Sequence, residues 1–311
     1  AILRSLTAMD GMDHSSDMGG MSGDMEHAME SSGGMEMAGS SPLLGGDSGD
    51  VRYPLYLLNG RGPASPATLE AKPGERLRVR LINAGADTAF RVALAGHDLT
   101  VTHTDGFPVE PVTVEAVLLG MGERYDVAVT VPEEGVFPLV ALAEGKGGQA
   151  MALLRTGAGD APAADAHPSE LDGRVLQLAD LKAADGVALK PARADRTHQV
   201  VLTLDRDAYR WRINGKTFDE QSPLELREGQ RVRLVFDNQT TMFHPMHLHG
   251  HTFQVEGPLG GAGPRKDTAI VRPKEKVTVD FVADNPGQWL LHCHNLYHQE
   301  TGMMTTLSYV S

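Results

Sequence analysis

One cysteine in the whole chain, Cys293, stands between two histidines in the run Trp289–His294. In an extended strand, successive side chains point to opposite faces. His292 and His294 therefore share one face and Cys293 takes the other. The apolar residues beside them place Cys293 toward a core and the two histidines outward. Only a β-structure with this strand at the surface of its own domain satisfies both demands. With no second cysteine, an internal disulfide is excluded.

A second histidine-rich run is His244-Pro245-Met246-His247-Leu248-His249-Gly250-His251. With His298 just beyond the first run, seven of the 13 histidines lie in or beside these two short segments, too many for chance clustering. A thiolate inside a sandwich needs partners. His298 and Met303 follow in the loop after the cysteine strand, and His244 can arrive from a neighbouring strand end. Pro245 is read as interrupting the strand ladder, letting His244 turn inward. Two imidazoles, one thiolate and a weak axial thioether make a blue-copper electron-transfer site, tuned by an apolar shell. Zinc, the rival metal for a His/Cys set, needs neither Met303 nor a cysteine flanked by outward histidines. By the same alternation His247 and His249 share a face. Together with His292 and His294 they form half of a multi-metal site, and the peptide bonds flanking Cys293 give electrons a covalent route to it.

The rest of the chain reads as short strands separated by Gly, Pro, Asn and Asp. One series runs Arg76–Ala84, Ala89–Leu94, Leu99–Thr102, Val112–Leu119, Tyr125–Val131 and Ala150–Leu154. A second runs His198–Leu204, Tyr209–Asn214, Arg231–Phe236, Thr252–Val255, Ala269–Val271, Val277–Val282, Trp289–His294 and Thr305–Tyr309. The stretches KPGERLRVRLIN and REGQRVRLVFDN read as an internal repeat. The expected class is all-β, two sandwiches of one fold. The Pro/Ala/Asp-rich Gly157–Pro168 marks the boundary and a crossover over Leu176–Leu189 holds a helical turn. The expected division is 1–50, 51–160 without copper ligands, and 161–311 with them. His97, His103, His167 and His198 read as structural or exposed histidines, and Trp211 and Trp289 as core.

Net charge is −13, and residues 1–50 hold nine acids against the single base Arg4, so they supply −8 of it. Such a balance excludes nucleic acid as a partner, and no apolar run is long enough for a transmembrane helix. Ala1-Ile2-Leu3-Arg4 lacks the regions of a secretion signal. Residues 9–37 carry eight of the 14 methionines, with His14 and His27. Their low complexity predicts disorder. Thioether sulfur is a soft ligand for Cu(I), so this segment is expected to handle copper.

At the two histidine runs the chain resembles the multicopper oxidases, the family of laccases, bilirubin oxidases and bacterial cuprous oxidases. The resemblance runs from about Tyr53 to the end and includes Gly96-His97-Asp98 through Asp105-Gly106, Gly122-Glu123-Arg124-Tyr125-Asp126-Val127 and Lys266-Asp267-Thr268. It implies a cupredoxin-like Greek-key fold for both sandwiches. It also implies type 1 copper on His244, Cys293, His298 and axial Met303, type 2 copper on His247, and type 3 copper on His249, His292 and His294, with His251 non-ligating. The family's cluster uses eight histidines, four of them in two His-x-His motifs of a first domain. No such motif precedes His247 here. The chain thus resembles the second and third domains, and a first domain or another chain would complete the cluster. Where bacterial relatives often place a proton-delivering acid after the last type 1 histidine, this chain has Gln299 and then Glu300, which becomes the candidate relay.

The resemblance implies an oxidoreductase that takes single electrons from Cu(I) or phenols and reduces dioxygen to water. It implies a role in copper resistance and a location outside the cytoplasm, periplasmic or secreted. Alternatives are a general laccase, a module that only transfers electrons or binds copper, and a copper nitrite reductase. His294 argues against the last, whose type 1 cysteine is not followed by a cluster histidine.

Overall fold

The structure, a computed structural model, describes residues 3, 6 and 39–311. The methionine-rich stretch 9–37, with His14 and His27, lies outside the described residues. Four sheets form two sandwiches. In the first, a five-stranded sheet runs in the order Ala67–Glu70, Gln149–Arg155, Val136–Ala143, Phe90–Leu94, Val117–Leu119. Its four-stranded mate runs Arg76–Ile82, Arg124–Thr130, Leu99–Thr104, Phe107–Val114. The second sandwich opposes a six-stranded sheet, Arg210–Ile213, Arg196–Asp205, Arg231–Asn238, Lys276–Val282, Phe253–Glu256, Ala262–Lys266, to a five-stranded one. The latter runs Leu224–Leu226, Met304–Tyr309, Gln288–Cys293, His244–Leu248, Thr268–Val271.

Period-two alternation builds each layer. In Arg231–Asn238 the buried positions are Val232, Leu234, Phe236 and Asn238, with Arg231, Arg233, Val235 and Asp237 between them. The antiparallel neighbour Lys276–Val282 turns Val277, Val279 and Phe281 the same way. Trp211, Phe253 and the remaining apolar side chains fill the space between these sheets, Cys293 and Met303 among them. On the outer face Arg233 opposes Asp280 and makes two hydrogen bonds to it, of 2.8 and 2.9 Å.

The repeat read from sequence has a structural counterpart at its asparagines. Buried Asn83 donates to the carbonyls of Thr88 and Leu119 and accepts from Gly85 N. Buried Asn238 donates to those of Met242 and Val271 and accepts from Thr240 N. Each side chain satisfies backbone groups of a loop that does not pair in a ladder, as buried polar groups require.

Three readings differ from the sequence. The run Val112–Leu119 is two strands in different sheets, because at Glu115 and Ala116 the backbone N–H groups turn to the Arg174 carbonyl. Strands at Ala67–Glu70, Val136–Ala143, Leu224–Leu226 and Ala262–Lys266 join the two series. Pro245 does not interrupt its strand: His244 pairs with Val271 and Pro245 with Ile270. His244 faces the core by ordinary alternation with Met246 and Leu248. The crossover holds the expected turn, a single 3₁₀ turn at Leu178–Asp180, and Leu171, Leu176 and Leu181 are buried in the first sandwich.

Candidate metal centres

His244, Cys293 and His298 converge in the core of the second sandwich, and none of the three is exposed. The two Nδ1 atoms lie 3.0 Å apart and Cys293 Sγ is 3.6 Å from each. The opposite ring nitrogens are already engaged. His244 Nε2 meets Thr240 Oγ1 at 2.8 Å, and His298 Nε2 donates to Asp50 Oδ2 at 2.9 Å. Both rings therefore present Nδ1 to the thiol, the outer hydrogen bond fixing which nitrogen is free. Burial, then His298, keeps the His244 imidazole well below its usual pKa and so neutral. Burial would lower His298 too, but the Asp50 carboxylate overrides it and raises the ring to about 10. Ligation at Nδ1 must then displace a proton. Trp211 stacks on His298 with centroids 3.8 Å apart, a wall for the site as well as core.

Met303 is fully buried in the same core as Cys293. Its backbone ties the site together, Cys293 N donating to Met303 O and Met303 N to His298 O. The short helix Leu296–Glu300 that carries His298 begins at Asn295, whose side chain accepts from Tyr297 N and His298 N. Asn295 N in turn donates to Cys293 Sγ at 3.4 Å.

The second group occupies the outer face of the same sheet. Register places His247 opposite His292 and Met246 opposite Cys293, so alternation sends the histidines out and the cysteine in. His249 Nε2 lies 2.9 Å from His292 Nε2, and His247 joins them within metal-ligating reach. His294 stands with them, its ring 5.8 Å from those of His247 and His292. Here the engaged atom is Nδ1: His292 Nδ1 donates to Cys293 O at 2.8 Å and His247 Nδ1 to Asp267 O at 2.9 Å. Nε2 is left for a metal. Burial first, then the neighbouring rings, lowers His249 and His294 and takes His292 down to about 4. Neutral imidazole is the ligating form.

The first sandwich braces this face through motifs whose purpose the sequence left open. Arg124 clamps Asp267 with hydrogen bonds of 2.6 and 2.7 Å, beside His247. Asp105 accepts from Arg124 N, Asp267 N and Thr268 N, while the fully buried Lys266 reaches Asp105 and Glu123 at 3.1 and 3.2 Å. Gly122 lies flat against His294: a Cβ there would sit 2.5 Å from the ring, at φ +83°. Gly122→Ala is expected to cost about 1–2 kcal/mol for the left-handed backbone and to push His294 out of the cluster. Urea unfolding and a metal titration of this face read the two effects; unchanged binding would refute the second.

The remaining predicted residues stand apart. Glu300 ends its helix exposed and belongs to neither group. His251 bonds Tyr309 Oη at 2.6 Å and stacks on its ring. His97 pairs with Glu133 and His103 meets Thr102, so neither supplements the cluster. Asp50, Thr240 and Asn295 were missed. Asp50 is the last of nine acids in an acidic stretch, and nothing in its neighbours distinguishes it.

The donor set suits copper. Thiolate and imidazole are its preferred ligands, and the 3.0–3.6 Å spacing is close to what bonds of about 2.0–2.3 Å to one ion require. A buried Cys/His₂ set joined through its cysteine's neighbours to an outward histidine cluster defines a copper protein of the oxidase class. The chain belongs to the multicopper oxidase family: models of that description match residues 191–310 and 30–159. It is 55% identical over 272 residues to the multicopper oxidase MmcO of Mycobacterium tuberculosis, covering 87% of this chain and 53% of that protein. A copper resistance protein A homolog of Pseudomonas syringae pv. tomato is 28% identical, covering 80% and 57%. The crystal structure of a multicopper oxidase from Pseudomonas thermotolerans superposes with a TM-score of 0.62 at 27% identity, covering 82% and 59%. The chain spans just over half the length of these relatives.

Proposed function

We propose that this chain is the electron-accepting portion of a copper-dependent oxidase, matching the family's second and third domains. The observation that carries the reading is the covalent link between two ligand groups: Cys293 lies in one, and its neighbours His292 and His294 in the other. In this reading His244, Cys293, His298 and Met303 hold type 1 copper, His247 type 2 copper, and His249, His292 and His294 type 3 copper. Bound there, copper supplies one-electron oxidation of a donor, Cu(I) or a phenol, and reduction of dioxygen to water. The chain's own groups keep the thiolate dry, hold His244, His298, His247 and His292 each in one tautomer, and keep His249, His292 and His294 neutral.

Four further histidines are to come from a first cupredoxin domain or another chain, since His97 and His103 are engaged elsewhere. Exposed Glu300, two residues beyond His298, is assigned to proton delivery on that position alone. The division proposed is a methionine-rich segment to about residue 50, a ligand-free sandwich, and a copper-bearing sandwich. Copper resistance, a Cu(I)-handling role for residues 9–37 and a place outside the cytoplasm complete the proposal. They rest on thioether chemistry and on the likeness to a copper resistance protein. Among the described residues no helix is long and apolar enough to cross a membrane.

Copper content, visible spectrum and oxygen uptake of the copper-loaded chain test this together. About four coppers, a strong thiolate band and uptake driven by Cu(I) are expected once the missing histidines are supplied. One tight copper with a blue band and no uptake, even then, would leave an electron-transfer module and sink the oxidase reading.

A further inference from the structure

Asp87 belongs to the first sandwich, which holds none of the candidate ligands, yet its fully buried carboxylate grips two of the groups that touch the type 1 site, Asn295 and Asp50. Oδ1 accepts from Asn295 Nδ2 at 2.5 Å and from Asp50 N at 3.2 Å. Oδ2 accepts from Val51 N at 2.8 Å and from Lys146 Nζ at 2.6 Å. Lys146, its side chain equally buried, also donates to the carbonyls of Val51 and Asp87. Beyond these contacts, Asn295 N reaches Cys293 Sγ and Asp50 Oδ2 reaches His298 Nε2. One carboxylate thus holds a handle on the thiolate and a handle on an imidazole.

A buried ion pair that only stabilised the fold would be poorly chosen, since apolar residues of similar volume do as well or better. Stability alone also gives no reason for its acceptors to be spent on the two segments that contact ligands. We infer that Asp87, held by Lys146, is a positioning residue for the type 1 site: it fixes Asn295 on the thiolate and Asp50 on His298, and so sets that site's reduction potential. Hydrogen bonding around a ligating sulfur and orientation of a ligating imidazole are the levers by which a protein tunes such a site. The inference rests on the type 1 reading of His244, Cys293 and His298.

The test uses the copper-loaded chain with Asp87→Asn and Asn295→Ala, singly and together. Redox titration, the thiolate absorption band and the melting temperature are recorded on the same samples. Asp87→Asn removes a negative charge beside the site and is expected to favour the reduced ion at least tenfold, about 59 mV for one electron, and to move the band. Asn295→Ala, which leaves the Asp87–Lys146 pair intact, is expected to move the band too. The double variant should fall short of the sum because both residues lie on one chain of contacts. If Asp87→Asn does not fold, Asp87→Asn/Lys146→Met leaves no lone buried charge and is expected to move the band, with a smaller change in potential because the positive charge of Lys146 is lost together with the negative charge of Asp87. Potential and band unchanged in these variants, with only the melting temperature lowered, would overturn the inference and leave the type 1 reading intact. A wild-type chain with no thiolate band would overturn that reading itself.

Discussion

Cys293→Ser is expected to abolish the strong visible absorption of the copper-loaded chain while the outward histidine face still binds metal. Serine keeps the backbone, and His292 is oriented by the residue 293 carbonyl rather than by its side chain. The register that sets His247 opposite His292 is likewise a backbone property. What is lost is the soft ligand of the inner group, leaving His244 and His298 with a hydroxyl too hard and too short to replace it. Loss of a supporting partner alone weakens metal binding about 10–100-fold, so loss of this ligand should exceed 100-fold at the inner site. Spectrophotometric copper titration reads both sites. Simultaneous loss of the outer site would show that the two groups are not independently positioned.

Lys266→Met is expected to lower stability by about 3–5 kcal/mol, the cost of leaving buried charge without its partner. Lys266 Nζ is the cation shared by Asp105 and Glu123, neither of which has more than trace exposure. Burial already lifts the Glu123 carboxyl above its ordinary value, with Lys266 pulling it back. Without Lys266 it rises further. A carboxyl whose folded pKa exceeds its unfolded value stabilises fully below the unfolded value, near 4.3, and that contribution is lost as pH rises through the folded one. The deficit should therefore be greater at pH 8 than at pH 5, as urea midpoints will show; equal deficits would mean another cation replaces Lys266. The same variant should disturb the histidine face, because Asp105 also accepts from Asp267 N and Thr268 N beside His247.

Both results follow from one arrangement. The second sandwich owns every candidate ligand among the described residues, but the first braces those residues from two sides. Arg124, Asp105 and Gly122 act on the outer group, Asp87 and Lys146 on the inner one. A ligand-free sandwich is in this sense part of the metal centre.

Much of this was legible in the chain. Strand alternation is local, so the opposite facing of Cys293 and its flanking histidines follows from sequence, as does the pairing of His247 with His249. Repeats of apolar residues at period two are equally local and give the all-β class. The error at Pro245 came from treating a proline as a break, when at this position the strand's pairing continues through it. What sequence could not supply is the identity of groups brought together by topology. Asp50 meets His298 across 248 positions, Lys266 meets Thr104 across 162, and Asn295 meets Asp87 across 208. A lone aspartate in an acidic stretch has no local mark of being buried, because burial is decided by the element that later covers it. The amino-acid sequence by itself determined the candidate ligands and the faces they point from. Only the tertiary structure decided which nitrogen His244, His298, His247 and His292 offer, since that depends on folded contacts: Thr240 and the Asp267 and Cys293 carbonyls within the second sandwich, and Asp50 from outside it.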